Sequence, residues 1–143
     1  MNKKVISELK RIANEHNGIL QPETVVERAR PASSPLHSRF QWDNSKAAHQ
    51  YRIWQARQLI SVSVEMLEGD KGSAPVFVSL KSDRQREHGG YRILTDVLSD
   101  AQMREQMLHE ALEELNCFQL KYQKLKQLSV VFKAVRQVRR KAA

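Results

Sequence analysis

A mainly α protein with one β-hairpin is the fold class this sequence predicts, and three observations lead there. Three stretches within the first 60 residues carry apolar side chains at helical spacing. A middle segment alternates apolar and polar residues around a glycine-bounded turn. Residues 99–140 contain neither proline nor glycine. The α+β architecture expected is a helical body, a projecting two-stranded hairpin, and a long C-terminal helix or helix pair.

Residues 3–16 place Val5, Ile6, Leu9, Ile12 and Ala13 on one helical stripe, with Lys3, Lys4, Lys10 and Arg11 elsewhere. Asn17 and Gly18 end the helix, since glycine readily takes the left-handed conformation of a helix terminus. His16 is placed to meet the last carbonyls. A short second helix over 22–30 opens on Pro22, whose missing N–H costs nothing in a first turn, and Glu23 favours the positive dipole end. Pro31 and Pro35 bracket the loop that follows. A third helix runs to about residue 60, capped by Asp43, Asn44 or Ser45, with Ala47, Ala48, Tyr51, Trp54 and Leu59 as its apolar stripe.

Ile60, Val62, Val64 and Met66 alternate with Ser61, Ser63 and Glu65, and Val76, Val78 and Leu80 alternate after the turn at 69–72. This is a hairpin over 61–81. Residues 82–98 read as a basic loop and a short turn. Beyond them, Leu108, Ala111, Leu115, Phe118, Tyr122 and Leu125 repeat at spacings of 3 and 4, a heptad-like seam. One unbroken helix and a pair broken near 119–123 fit the pattern equally. With 143 residues and 41% apolar content, one domain spanning 1–143 is expected.

The net charge is +8. Such an excess concentrates polyanions near a protein and speeds encounter with them. The charge is also polarised. Residues 100–116 carry Asp100, Glu105, Glu110, Glu113 and Glu114 against Arg104 alone. Residues 121–143 carry Lys121, Lys124, Lys126, Lys133, Arg136, Arg139, Arg140 and Lys141 with no acid. The helix dipole explains cations in a last turn only, so Lys121, Lys124 and Lys126 need another account. A second basic group flanks the hairpin: Lys71 at its tip, Lys81 at the end of its second strand, then Arg84, Arg86, His88 and Arg92. Gly89 and Gly90 would let backbone N–H groups approach a phosphate. The bland reading is that these arginines pair with Asp83 and Glu87 and the glycines only turn the chain.

No catalytic, metal or cofactor signature emerges. The five histidines lack the two-His spacing of a helical zinc site, and no phosphate-binding glycine loop or nucleophile elbow is present. An enzyme is therefore not expected, nor a cofactor. Residues 5–30 resemble a helix-turn-helix only superficially, because Glu23 and Glu27 on the second helix would repel phosphates. The single cysteine, Cys117, forms no internal disulfide, and the N-terminus lacks the apolar run of a secretory leader. A cytoplasmic protein that does not span a membrane is expected.

The stretch LQPETVVERARPASSPLHSRFQWDNSKAAHQYRIWQARQLI (residues 20–60), with GGYRILTDVL (89–98) and FQLKYQKLKQLSVVFKAV (118–135), resembles a family of short proteins encoded by tailed phages and prophages. The family is mostly of unassigned function, with some members associated with double-stranded DNA binding. The resemblance implies a helical body carrying a hairpin, a bacterial host cell, and a role in phage replication or genome handling. Pro35, Leu36, His37, Phe40, Trp42, Tyr51 and Arg52 match its pattern and read as core and loop-fixing positions.

Taken together, these features point to non-sequence-specific binding of double-stranded DNA. Lys71, Lys81, Arg84, Arg86 and Arg92 would contact phosphates from the hairpin side, and Lys121, Lys124, Lys126, Lys133, Arg136, Arg139 and Arg140 along the final helix. The alternative is a helical interaction module, in which the 108–125 seam forms a homo-oligomer or docks on a phage or host protein, with the basic tail meeting an acidic partner. RNA is the weaker rival, because Trp42, Trp54 and Phe118 are expected in the core and not available for stacking.

Overall fold

The computed structural model describes residues 2–42, 45–66 and 72–142. The fold is mainly α with a small β component. Where the sequence suggested one domain, the chain divides into two compact units, residues 1–100 and 101–143.

Unit 1 begins with α1 (Lys3–Glu15), whose Asn2 side chain caps the Lys4 N–H at 3.0 Å. Its stripe of Val5, Ile6, Leu9, Ile12 and Ala13 is buried, as the spacing requires. His16 Nδ1 lies 2.8 Å from the Ile12 carbonyl, and Asn17 and Gly18 turn the chain with φ of 56° and 77°. A two-residue strand β1 (Ile19–Leu20) leads into α2 (Pro22–Ala29), which buries Val25, Val26 and Ala29 and packs on α3. Between α2 and α3 the chain makes a 3-10 turn at His37–Arg39. Helix α3 (Lys46–Ser61) is capped by Ser45, which accepts from Ala48 N at 3.1 Å. Asp43 and Asn44, the other cap candidates, lie outside the described residues.

The apolar stripe of α3 differs from the one expected. Ala48, Ile53, Ala56, Leu59 and Ile60 are buried, together with Arg52, while Tyr51 and Trp54 are exposed. Two near-equivalent stripes exist on this helix, and the core took the one that carries a charge.

The hairpin is present but shorter than residues 61–81. Strand β2 (Val64–Met66) pairs antiparallel with β3 (Ser73–Pro75), Val64 opposite Pro75 and Met66 opposite Ser73. Its connection, with Lys71, lies outside the described residues. Residues 60 and 61 stay helical because Ile60 is needed in the core, and buried Ser63 then donates to the Leu59 carbonyl at 2.8 Å. Pro75 has no N–H to extend the ladder. Past it, β4 (Phe77–Val78) turns to a different partner, β5 (Tyr91–Ile93). The result is a three-stranded antiparallel sheet in the order β1-β5-β4, with Ile19 opposite Arg92 and Phe77 opposite Ile93. The face that alternation assigned to the core (Val62, Val64 and Met66) is instead exposed.

Residues 82–92 are correspondingly not one polar loop. Helix α4 (Lys81–Arg84) and strand β5 occupy its two ends, and α5 (Leu94–Ser99) follows. Gly90 lies under β1: a Cβ there would sit 2.7 Å from Ile19 Cγ2, and its carbonyl accepts from Ser79 Oγ at 2.7 Å. Gly90→Ala is expected to cost about 1–3 kcal/mol through this overpacking, because the atom it meets is a branch methyl held close to the Ile19 backbone. Urea denaturation checks the value.

Unit 2 is a helix pair, the second of the two alternatives. Helix α6 (Ala101–Tyr122) and helix α7 (Ser129–Ala142) are joined through a 3-10 turn at Lys126–Leu128. No proline or glycine forces the break. Its compensation is the return of α7 along α6: Phe132 meets Phe118 edge-on at 6.4 Å, and Arg139 donates to the Leu112 carbonyl at 2.9 Å. Among the described residues no helix is long and apolar enough to cross a membrane.

Candidate nucleic-acid interface

The basic loop of unit 1 is organised around one buried acid. Asp83 is fully buried at the third position of α4, and Arg92 on β5 meets it with both arms, Nε at 2.7 Å and Nη2 at 2.8 Å. Two parallel charge-assisted bonds fix the guanidinium plane as well as its position. These bonds, opposed by burial, hold the Arg92 pKa above its ordinary value. With a side chain only 13% exposed, Arg92 is a bolt between strand and helix, which removes it from the groups available to phosphate. Arg86 Nε also approaches Asp83, at 3.6 Å, but its side chain is 51% exposed. Lys81 and Arg84 are exposed, with Arg84 steadied by a bond to the Ser79 carbonyl. Gly90 serves the close approach to Ile19 described above and Gly89 a positive φ of 65°, so packing and turning account for the pair.

In unit 2 the cations fall into two groups. Arg139 reaches across to the Leu112 carbonyl and, at 3.4 Å, to Asn116 Oδ1, so it clamps the two helices together. Lys121 lies 5.2 Å over the Tyr122 ring and is exposed. Lys124, Lys126, Lys133, Arg136, Arg140 and Lys141 are exposed, and among the described residues none of these six is ion-paired. At 100° per residue, Lys133, Arg136 and Arg140 stand within about 100° of Phe132 in one rotational sense, a single basic stripe along α7. Unit 2 carries nine Lys and Arg against four Glu, so five of the eight excess charges reside here.

The feature that sequence reasoning missed is on α3. Tyr51 and Trp54 are 44% and 52% exposed and stack at 5.5 Å with an interplanar angle of 17°. Exposed Gln50, Arg57 and Gln58 flank them at helical spacing. The helix is held from behind by Trp42, the other tryptophan. Trp42 donates to the His37 carbonyl at 3.0 Å and stacks on the His37 ring at 5.1 Å. Arg52 lies 5.5 Å from its centroid and donates to the Gln41 carbonyl at 3.1 Å. His37 Nδ1 is 2.9 Å from the Ala29 carbonyl, which ties the long loop back to α2. Leu36, Phe40 and Arg52 are thus core and loop-fixing positions, whereas Tyr51 belongs to the surface. The signal available in the sequence was the competing stripe through Ala48, Arg52 and Ala56, which leaves both aromatics outside.

Among the described residues no group of three or more His, Cys, Asp or Glu is placed to hold a metal ion. Set against known proteins, the chain matches no family model, no curated protein and no solved structure.

Proposed function

We propose that this chain is a binding protein, not an enzyme, and that it holds double-stranded DNA without strong sequence preference through phosphate contacts. The observation that carries the reading is the exposed stripe Lys133, Arg136 and Arg140, with Lys121, Lys124 and Lys126 at the turn, on a segment from residue 115 onward with no carboxylate side chain of its own. Lys81, Arg84 and Arg86 add a second exposed basic group on unit 1. Arg92 and Arg139 act as internal braces in this proposal. Service in phage replication or genome handling is what the family resemblance adds to it.

Binding of this kind rests on counterion release, so its affinity falls with salt by about 0.9 decade per decade for each phosphate neutralised. Titration of labelled duplex DNA, single-stranded DNA and RNA at two salt concentrations tests it. Tightest binding to duplex with a steep salt slope is expected, and salt-insensitive binding or none overturns it.

The Tyr51–Trp54 pair favours a second reading, single-stranded nucleic acid, because stacked exposed aromatics are platforms for unpaired bases. Trp54→Ala separates the two. The substitution is expected to cost about 1 kcal/mol or less, since the residue is half in solvent. Duplex affinity is expected to hold. A loss of about 1–3 kcal/mol on single strands would mark a stacked base and favour the second reading.

A further inference from the structure

Unit 2 buries very little on its own account. Leu112 and Phe132 are its buried apolar residues among those described, one from each helix. Helical segments of about 40 residues seldom bury enough surface to be stable alone and usually need a metal, a disulfide or a partner. Meanwhile the part of the predicted seam that lies on α6 is open, and Leu125 falls in the turn beyond it. Leu108, Leu115, Phe118 and Leu125 are each 38–49% exposed.

Helix geometry places this seam on one side of the pair. Along α6 it is centred roughly a quarter turn from Leu112, the residue facing α7, in the rotational sense opposite to increasing residue number. Val131 and Val138, both exposed, lie a similar angle from Phe132 on α7 in that same sense. In an antiparallel helix pair, equal rotational senses fall on the same side. The hairpin therefore has an apolar side, formed by the seam and the two valines, and an opposite side that carries the Lys133, Arg136 and Arg140 stripe.

We propose that the apolar side pairs with the same side of a second copy of this chain, α6 running antiparallel to its counterpart, to give a four-helix bundle. Charge selects both the occupant and the direction. The seam helix is acidic over Glu105–Glu114 and ends on Lys121, with Lys124 and Lys126 in the turn just beyond it. An antiparallel two-fold axis between Leu115 and Phe118 sets Glu114, on one flank of the seam, near Lys121 on the same flank of the other copy, and Glu110 level with Lys124. A parallel pair would stack glutamate on glutamate. Such self-complementarity is what an isologous interface requires. The proposal is independent of nucleic acid, and it leaves the basic stripes facing outward on both copies.

Sedimentation of the full chain without nucleic acid tests it. The expected mass is twice the 16.6 kDa of one chain. Leu115→Glu is expected to yield monomer with helicity retained by circular dichroism, while Leu120→Glu, exposed but on the other side of α6, leaves the dimer intact. Should Leu115→Glu lose helicity, Val138→Lys at the edge of the apolar side carries the same expectation. For direction, spin labels on Gln102→Cys in a Cys117→Ser background should lie about 40 Å apart in an antiparallel pair and about 20 Å apart in a parallel one, from the 1.5 Å rise per residue and the spacing of packed helices. A monomeric wild type overturns the proposal. So does a dimer insensitive to both seam substitutions, and a short label distance overturns the antiparallel arrangement.

Discussion

Asp83→Ala is expected to destabilise the protein by about 3–5 kcal/mol, the cost of leaving a largely buried guanidinium without its counter-charge. For a domain whose total stability is about 5–15 kcal/mol, this is a large fraction. The loss arises from Arg92, which is 13% exposed and has both nitrogens within 2.8 Å of the Asp83 carboxylate. Removal of the whole pair behaves differently. Asp83→Leu combined with Arg92→Met is expected to recover most of the loss, since well-packed apolar groups replace a buried ion pair at little net cost. Arg86→Ala, at 3.6 Å and half in solvent, should cost no more than about 1 kcal/mol. Urea denaturation of the three variants reads these values. A small effect of Asp83→Ala would mean that Arg92 turns outward to water, which would return it to the phosphate-facing surface.

Replacing Lys133, Arg136 and Arg140 together by alanine is expected to weaken duplex binding about 100-fold near 0.15 M salt. Each phosphate contact contributes about 0.9 to the log–log salt slope, so three of them should lower that slope by about 2.7. The loss should be uniform across DNA sequences, because phosphate contacts position without specifying. Folding should be little changed, because the three side chains are exposed. Arg139→Ala makes the internal control, because it removes the clamp to the Leu112 carbonyl and should act on unit 2 stability instead. Unchanged affinity and slope in the triple variant would remove α7 from the interface.

The long helices were legible because each has one dominant period. Val5, Ile6, Leu9, Ile12 and Ala13 admit a single stripe, and the structure buries that stripe. α3 was legible as a helix but ambiguous in rotation. Tyr51 and Trp54 make the more apolar stripe, yet the one through Arg52 is buried, where Arg52 Nη1 donates to the Gln41 carbonyl and the guanidinium lies over the Trp42 ring. The hairpin was overextended for a related reason. Alternation over 60–66 is real, but Ile60 was already claimed by the α3 core. Strands β1 and β5 were missed because two or three residues are too few for a period to register. For the candidate interface, the sequence located charge correctly along the chain. It left open which cations are braces: only the three-dimensional meeting of Arg92 with Asp83, and of Arg139 with Leu112, separates those two from the rest.

The middle position of β5 has a consequence for the order in which the protein comes into being. Ile19 waits for Arg92 and Leu20 for Tyr91, so the amino-terminal strand has nothing to zip onto until the growing polypeptide has been made almost to the end of the first unit. Pairings this remote in the chain close slowly, since most of the intervening coil must be ordered first. Until then α1 can coil and α2 can gather beside it, but the last lock on the amino terminus is turned by residues 91–93. A nascent chain stalled before Tyr91 would lack the strand that holds both β1 and β4, and would present two orphan edges to its neighbours.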